Sequence, residues 1–308
     1  MSNKVTEFND PTLRLLCVDG LGGRTLSAIV RRAGGLELAA EAVLCGEVSE
    51  WLPNGTSKVL KERMERIEID AVRWSADAID ASIVTVMDDD FPQLLCPLPS
   101  CPAMLWFRGN IDCVQSSAIA IVGARRCTRY GLEQADYFSS EIAQSDLTII
   151  SGGARGIDAA SHRSALRHKG DTAAVLGSGL GVVYPPEHET LFNEIIAKGG
   201  ALISEFPCQR PPQAAYFPRR NRIVSGLSSA VLVVEAARRS GALITARIAV
   251  EEHGRHAFAV PGRIGDNASS GCLQCIKDGW LELALEPDRV IEVTQESWKR
   301  LSQHCESL

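Results

Sequence analysis

From residue 118 onward, short apolar runs recur with a regularity that few architectures accommodate. They occupy 118–122, 147–150, 172–176, 201–203, 230–234 and 256–260, with starts 25 to 29 residues apart. Each is too short for a helix and lacks period-two alternation, as expected of strands buried on both faces. Segments of helical character fill the gaps, at 132–143, 158–166, 191–197 and 243–251. Strand and helix in this alternation imply an α/β fold built on a doubly wound, mostly parallel sheet. Ligands of such sheets bind beyond the carboxyl ends of the strands.

The chain ahead of that pattern is different. Leucine, isoleucine and valine recur at three- and four-residue steps through about residue 75, which predicts a small helical N-terminal domain over 1–75. The turn Asp19-Gly20-Leu21-Gly22-Gly23 separates two of its helices. It reads either as a plain interhelical turn or as one that offers backbone amides to a phosphate. Residues 58–68 form a charged helix facing solvent. The β-branched run 82–87 predicts a strand, and Leu105 to Phe107 a second one at the sheet edge. Between them the prolines exclude a continuous helix, and Asp88-Asp89-Asp90 reads as a turn. The expected division is 1–75, 76–285, and a tail over 286–308 holding a strand at Val290 to Val293 and a helix from Gln295 to His304.

The strand ends carry the unusual residues. The first ends in Gly123-Ala124-Arg125-Arg126, and the second in Ser151, Gly152, Gly153, Arg155 and Gly156. The third ends in Gly177 and Gly179, and Ser240-Gly241 follows the fifth. Glycines there let a ligand approach the backbone, and helix N-termini favour anions. Between the fourth and fifth strands lies FPRRNRIVSG, with Arg219, Arg220 and Arg222 beside Phe217 and Asn221. This basic cluster opposes a net charge of -6. It is either a solvated charged turn or part of a phosphate-lined cleft in which Phe217 or Tyr216 stacks a base. Phe217 is equally compatible with a core position.

Other chemistries find little support. The dinucleotide fingerprint is absent after the first strand, and no Walker sequence, nucleophile elbow or metal-binding histidine pair occurs. Asp158 and His162 share one helix face, as a catalytic pair or as a cap beside a packed histidine. Ten scattered cysteines without an apolar leader suggest free thiols in the cytoplasm, and Cys272 and Cys275 alone are a weak zinc signal. No apolar run is long enough to span a membrane. No cofactor and no metal are expected.

Seven motifs in order, from FPQLLCPLPSCPAMLWFRGN (91–110) through IVGARR, SGGARGIDAASH, VLGSGLGVVYPPEH, SEFP and FPRRNRIVSG to FAVPG (258–262), resemble the DNA-processing protein A (DprA/Smf) family. The resemblance covers about residues 85–280, and the N-terminal segment is similar to the family's sterile-alpha-motif-like domain. It implies a Rossmann-like sheet domain and a cytoplasmic, non-enzymatic single-stranded-DNA-binding protein. Such a protein protects incoming strands in natural transformation or recombination, helps load RecA recombinase, and forms a homodimer. Arg125, Gly152, Gly153, Gly156, the FPRRNR arginines, Gly241 and Thr245 would be its DNA contacts. The chain departs from the family at Leu273 and Trp280, and a complete C-terminal winged helix does not fit the tail. The rivals are a phosphoribohydrolase-like enzyme using Glu205 or Glu235, and a nucleotide-sensing module.

Overall fold

A computed structural model describes residues 3–53 and 55–306. The N-terminal part comprises a short strand, β1 (Asn3–Lys4), then α1 (Asp10–Leu16), α2 (Gly23–Ala33), α3 (Leu36–Cys45), α4 (Thr56–Glu65) and α5 (Ile69–Asp77). Asn9 caps α1 by accepting a hydrogen bond from the Thr12 amide at 2.9 Å, with Pro11 in the first turn where its missing N–H costs nothing. Leu13, Leu26, Ile29 and Val43 are buried, and α4 turns Leu60 and Met64 inward despite its charged face.

Two strands lead into the main pattern, β2 (Ser82–Thr85) and β3 (Met104–Gly109). The regular alternation follows: β4 (Ala118–Val122), α6 (Arg129–Ala143), β5 (Thr148–Ser151), α7 (Ile157–Arg167), β6 (Thr172–Leu176), α8 (Glu189–Ala197) and β7 (Ala201–Ser204). It continues with α9 (Tyr216–Gly226), β8 (Ala230–Val233), α10 (Gly241–Arg247), β9 (His256–Ala259), α11 (Ser270–Lys277), β10 (Glu282–Leu283) and α12 (Pro287–Glu306). All six expected core strands are present within about a residue.

The sheet order is β1-β2-β3-β7-β6-β5-β4-β8-β9-β10. The strands from β7 to β10 are parallel, and β1, β2 and β3 join antiparallel at one side. Leu105 to Phe107 therefore lies inside the sheet rather than at its edge. β3 is paired on both sides, to β2 and β7, and Leu105 and Trp106 have no solvent exposure. The chain runs outward from β4 through β5, β6 and β7, then returns to place β8 on the other flank of β4. That reversal creates a switch point between β4 and β8.

Both faces are covered, as double winding requires. Ile119 and Ile121 of β4 meet Phe138, Ile142, Val290 and Val293 on one side. Ala118, Ala120 and Val122 point the other way, toward Ile223, Val224 and Ala246. The N-terminal helices share one apolar cluster with Trp106, Leu176 and Phe192, which docks them firmly on the sheet domain.

Two local readings change. FPRRNRIVSG is neither a turn nor a loop but the helix α9. Strand Val290 to Val293 and the separate helix after it are a single helix, α12. The β-branched residues there suggested extension, but Val290, Val293, Thr294 and Ser297 are all buried at helical spacing. The Thr294 hydroxyl donates to the Val290 carbonyl at 2.6 Å, one turn back. Residues 307 and 308 of the expected tail lie outside the described residues. Thr294→Pro is expected to cost about 3 kcal/mol or more in urea unfolding, the penalty of a mid-helix proline. A cost below about 1 kcal/mol would instead fit a chain break at that point.

Candidate nucleic-acid interface

The loops leaving β4, β5 and β8 line an open cavity of about 760 Å³ at the switch point, with α9 as one wall. Its floor is Arg220, only 5% exposed although it is an arginine. The Arg220 Nη1 donates to the Val175 carbonyl at the end of β6. Its Nε has no protein partner. Burial, with help from the neighbouring charge of Arg125, lowers its pKa to about 10, while Asp158 acts in the opposite direction. Arg220 therefore remains cationic at neutral pH. Asp158, equally buried, accepts from the amides of Gly152 at 3.2 Å and Ala154 at 3.3 Å. Burial raises its pKa, and Arg220 and these amides oppose that rise.

Gly152 is demanded by this arrangement. A Cβ at that position would stand 2.1 Å from Arg220 Nη1, so any side chain would displace the guanidinium. Gly156 has φ +76°, and a Cβ there would lie 2.2 Å from the Ala124 carbonyl, so only glycine lets the β5 loop close against the β4 loop.

The cavity wall is aromatic as well as basic. Phe217 is half-buried there, with Arg125 Cζ 4.8 Å from its ring centroid and Tyr184 5.8 Å away, centroid to centroid. Gly177 lies close against the edge of the Phe217 ring. Arg125 and Arg126 are exposed at the mouth. Asn221 donates to the Gly241 carbonyl at 3.4 Å, and the Ser240 hydroxyl accepts from the Ala242 amide at 3.3 Å, capping α10. Thr245 completes that wall.

The structure thus gathers Gly123, Arg125, Arg126, Gly152, Phe217, Arg220, Asn221, Ser240, Gly241 and Thr245 around one cavity. Other expected residues stand elsewhere. The Ser151 hydroxyl donates to the Ile121 carbonyl at 2.6 Å and ties β5 to β4. Gly153 presents its carbonyl to His188 Nδ1 at 3.0 Å. Gly179 donates its amide to the Arg210 carbonyl at 2.8 Å. Arg155 forms a two-pronged pair with Glu187 at the surface. Arg219 and Arg222 both bind Glu205 on the far side of α9. Tyr216 is buried against Phe206, with ring centroids 4.3 Å apart, and is closed to a ligand.

The groups that kept an enzymatic reading open are engaged. Glu235 accepts from the Thr128 amide at 2.7 Å and hydroxyl at 2.6 Å, bracing the start of α6. Glu205 is held by the two arginines. His162 lies 0% exposed with Nδ1 2.7 Å from the Thr172 hydroxyl, which itself donates to the Ile149 carbonyl. No hydrogen bond joins it to Asp158 among the described residues. Cys272 and Cys275 are buried in α11, where burial pushes Cys272 up to about 12.

A family model, DNA recombination-mediator protein A, matches residues 82–295. The chain belongs to that family. Protein Smf of Escherichia coli K12 is 46% identical over 210 residues, which are 68% of this chain and 55% of that relative. DNA processing protein DprA of Streptococcus pneumoniae is 35% identical over 78% of this chain and 83% of its own length. The X-ray structure of the latter superposes with a TM-score of 0.79 at 30% identity, covering 92% of this chain and 98% of that one. DNA processing protein A of Helicobacter pylori, whose structure concerns a single-stranded-DNA binding mode, gives 0.63 at 26% identity over 71% and 98%. The chain spans little more than half the length of the Escherichia coli relative. No described helix is long and apolar enough to cross a membrane.

Tyr184 and Asp158 line the cavity but were not among the sequence candidates for contact. Tyr184 follows the third strand's glycine turn, and an aromatic in a strand-end loop was the available signal. Asp158 was read as a cap or catalytic partner, and its electrostatic influence on Arg220 links two helices distant in the chain. The burial of His162 has a measurable consequence. Burial lowers its pKa from 6.5 to about 3. The unfolded chain takes up this proton near 6.5 and the folded one only near 3, so the stability is fully present above 6.5 and declines as pH falls between those values. Thermal melts are expected to show a smaller loss of Tm between pH 7 and pH 4 for His162→Gln than for the unsubstituted protein.

Proposed function

We propose that this chain binds single-stranded DNA in the switch-point cavity and acts as a recombination mediator. In this reading it protects incoming strands during natural transformation or recombination and helps load them with RecA recombinase. It does so as a cytoplasmic homodimer and catalyses no reaction. The observation that carries the reading is the half-buried Phe217 with Arg125 over its ring, above the charged floor of Arg220. The family relationship supports it, as does the single-stranded-DNA binding mode of the Helicobacter pylori relative. The mediator role, RecA and the homodimer rest on the family relationship alone. The helical unit over 1–75, the DNA-binding unit over 76–285 and the tail over 286–308 are the proposed functional divisions.

The physical argument runs from charge to selectivity. The protein is acidic overall, and the cavity and its mouth set the positive charges of Arg125, Arg126 and Arg220 against that background. Arg125, Arg126 and Arg220 meet phosphates, helped by the amides around Gly123, Gly152 and Gly241. An unpaired base stacks on Phe217, an interaction every base can make. A duplex has no free base face to offer a ring recessed in a cavity, so single strands are preferred. Strands of any sequence are accepted, because stacking on an aromatic ring does not distinguish one base from another.

Titration with oligonucleotides at several salt concentrations tests this. Single strands are expected to bind better than duplex, with affinity falling as salt rises by about 0.7 log units per log unit for each neutralised phosphate. Arg125→Ala is expected to reduce that slope by about one phosphate's worth. Phe217→Ala is expected to lose about 1–3 kcal/mol of affinity with little change in slope, since stacking releases no counterion. Absence of binding to either form of DNA would overturn the reading.

A further inference from the structure

Two features noted in the sequence are not absorbed by the cavity: the glycine turn at Asp19 to Gly23, and two of the three clustered arginines. The structure joins them. On α9, Phe217, Arg220, Asn221 and Val224 form the stripe that faces the cavity. Arg219 and Arg222, three residues apart, form a second stripe on the opposite face. Arg222 donates to Glu205 and, at 2.6 Å, to the Ser100 carbonyl. Arg219 donates to the other Glu205 oxygen at 3.4 Å and to Asp19 Oδ1 at 2.8 Å. Its guanidinium also lies over the Phe206 ring, 5.1 Å from the centroid.

Both acceptors are fixed in place. Glu205 directly follows β7, and its side chain is only 11% exposed. The Asp19 carbonyl accepts from Arg63 of α4 at 2.8 Å. The same turn donates the Gly23 amide to the Cys101 carbonyl at 2.9 Å and forms an isolated bridge between Gly22 and Pro102. A Cβ at Gly23 would stand 2.9 Å from the Pro102 carbonyl, so the turn is shaped for docking rather than for an anion.

We propose that Glu205 and Asp19 are positioning residues for the cavity. By gripping one face of α9 from the sheet and from the N-terminal helices, they set the rotation of that helix and so the aim of Phe217 and Arg220. The N-terminal helices thereby influence DNA binding without touching DNA. This inference rests on the proposed single-stranded-DNA reading of the cavity. It differs from a simple ligand role for Arg219 and Arg222, which would predict that releasing them from Glu205 strengthens attraction to phosphate.

Glu205→Gln in the full chain separates these outcomes, with a single-stranded oligothymidylate carrying one 2-aminopurine as the probe. Two quantities are read: the Kd, and the fluorescence quench at saturating protein, which reports stacking within the bound complex. The expected result is a Kd raised about 10-fold, the scale of a lost hydrogen bond to a charged group, together with a weaker quench at saturation. Asp19→Asn, at a more exposed partner, is expected to raise Kd about 2- to 5-fold with the same sign in the quench. It carries the test should Glu205→Gln not fold by circular dichroism. Unchanged or tighter binding overturns the inference. So does weaker binding with an undiminished quench, because that signals lost stability without altered aim. If the unsubstituted protein fails to bind the oligonucleotide, the functional reading itself falls. If it binds and quenches but the variants match it, only the positioning inference falls.

Discussion

A buried guanidinium governs the architecture of the switch point. Arg220 lies beneath the β5 loop, where a charge without compensation would be prohibitive. The Val175 carbonyl and the nearby Asp158 carboxylate compensate it, and Asp158 in turn depends on Arg220 and the loop amides. Each group offsets part of what burial costs the other. The surrounding geometry accommodates them: no Cβ at Gly152, a Gly156 with φ of +76°, and a helix α9 turned so that Asn221, one turn after Phe217, also lines the cavity. A cavity built this way presents a preorganised cation whose Nε is without a protein partner.

The arginine cluster divides its labour by helical phase. Three arginines within four positions look interchangeable along the chain, but helix geometry sends Arg220 inward and Arg219 and Arg222 to another side. One supplies charge to the cavity floor. The other two are neutralised by Glu205 and Asp19 and act as struts between the sheet, the lead-in segment and the N-terminal helices. Two of the three positive charges in the cluster are therefore already matched at short range.

Legibility followed burial. The six core strands were visible because strands covered on both faces must be continuously apolar, and β4 with its alternating isoleucines and small residues shows why. β3 was visible as a strand but misplaced at an edge, since nothing local to Leu105 to Phe107 announces that β1 and β2 extend the sheet beyond it. α9 was hidden by its arginines and Pro218, whose position in the first turn is compatible with a helix. α12 was obscured by Val290, Ile291 and Val293, whose β-branching suggested extension until their packing against α6 and the sheet decided otherwise. Of the expected contact residues, those directly after strands β4 and β5 and on the inner stripe of α9 converged. Ser151, Arg155, Arg219 and Arg222 found protein partners instead.

By itself the sequence determined the doubly wound sheet and the family, and it pointed to the strand ends as the candidate site, because short-range periodicity and ordered motifs are written residue by residue. It also brought several arginines near those ends, while leaving Phe217 open between the core and the cleft. Only the tertiary structure decided which arginine is a cavity floor and which are struts, that Tyr216 is core while Phe217 is wall, and that the glycine turn near residue 20 docks on α9. Those outcomes depend on partners far away in the chain, Asp19 lying 200 residues from Arg219. Charge pairing and burial are properties of three-dimensional neighbours, and the linear pattern holds no local signal of who those neighbours are.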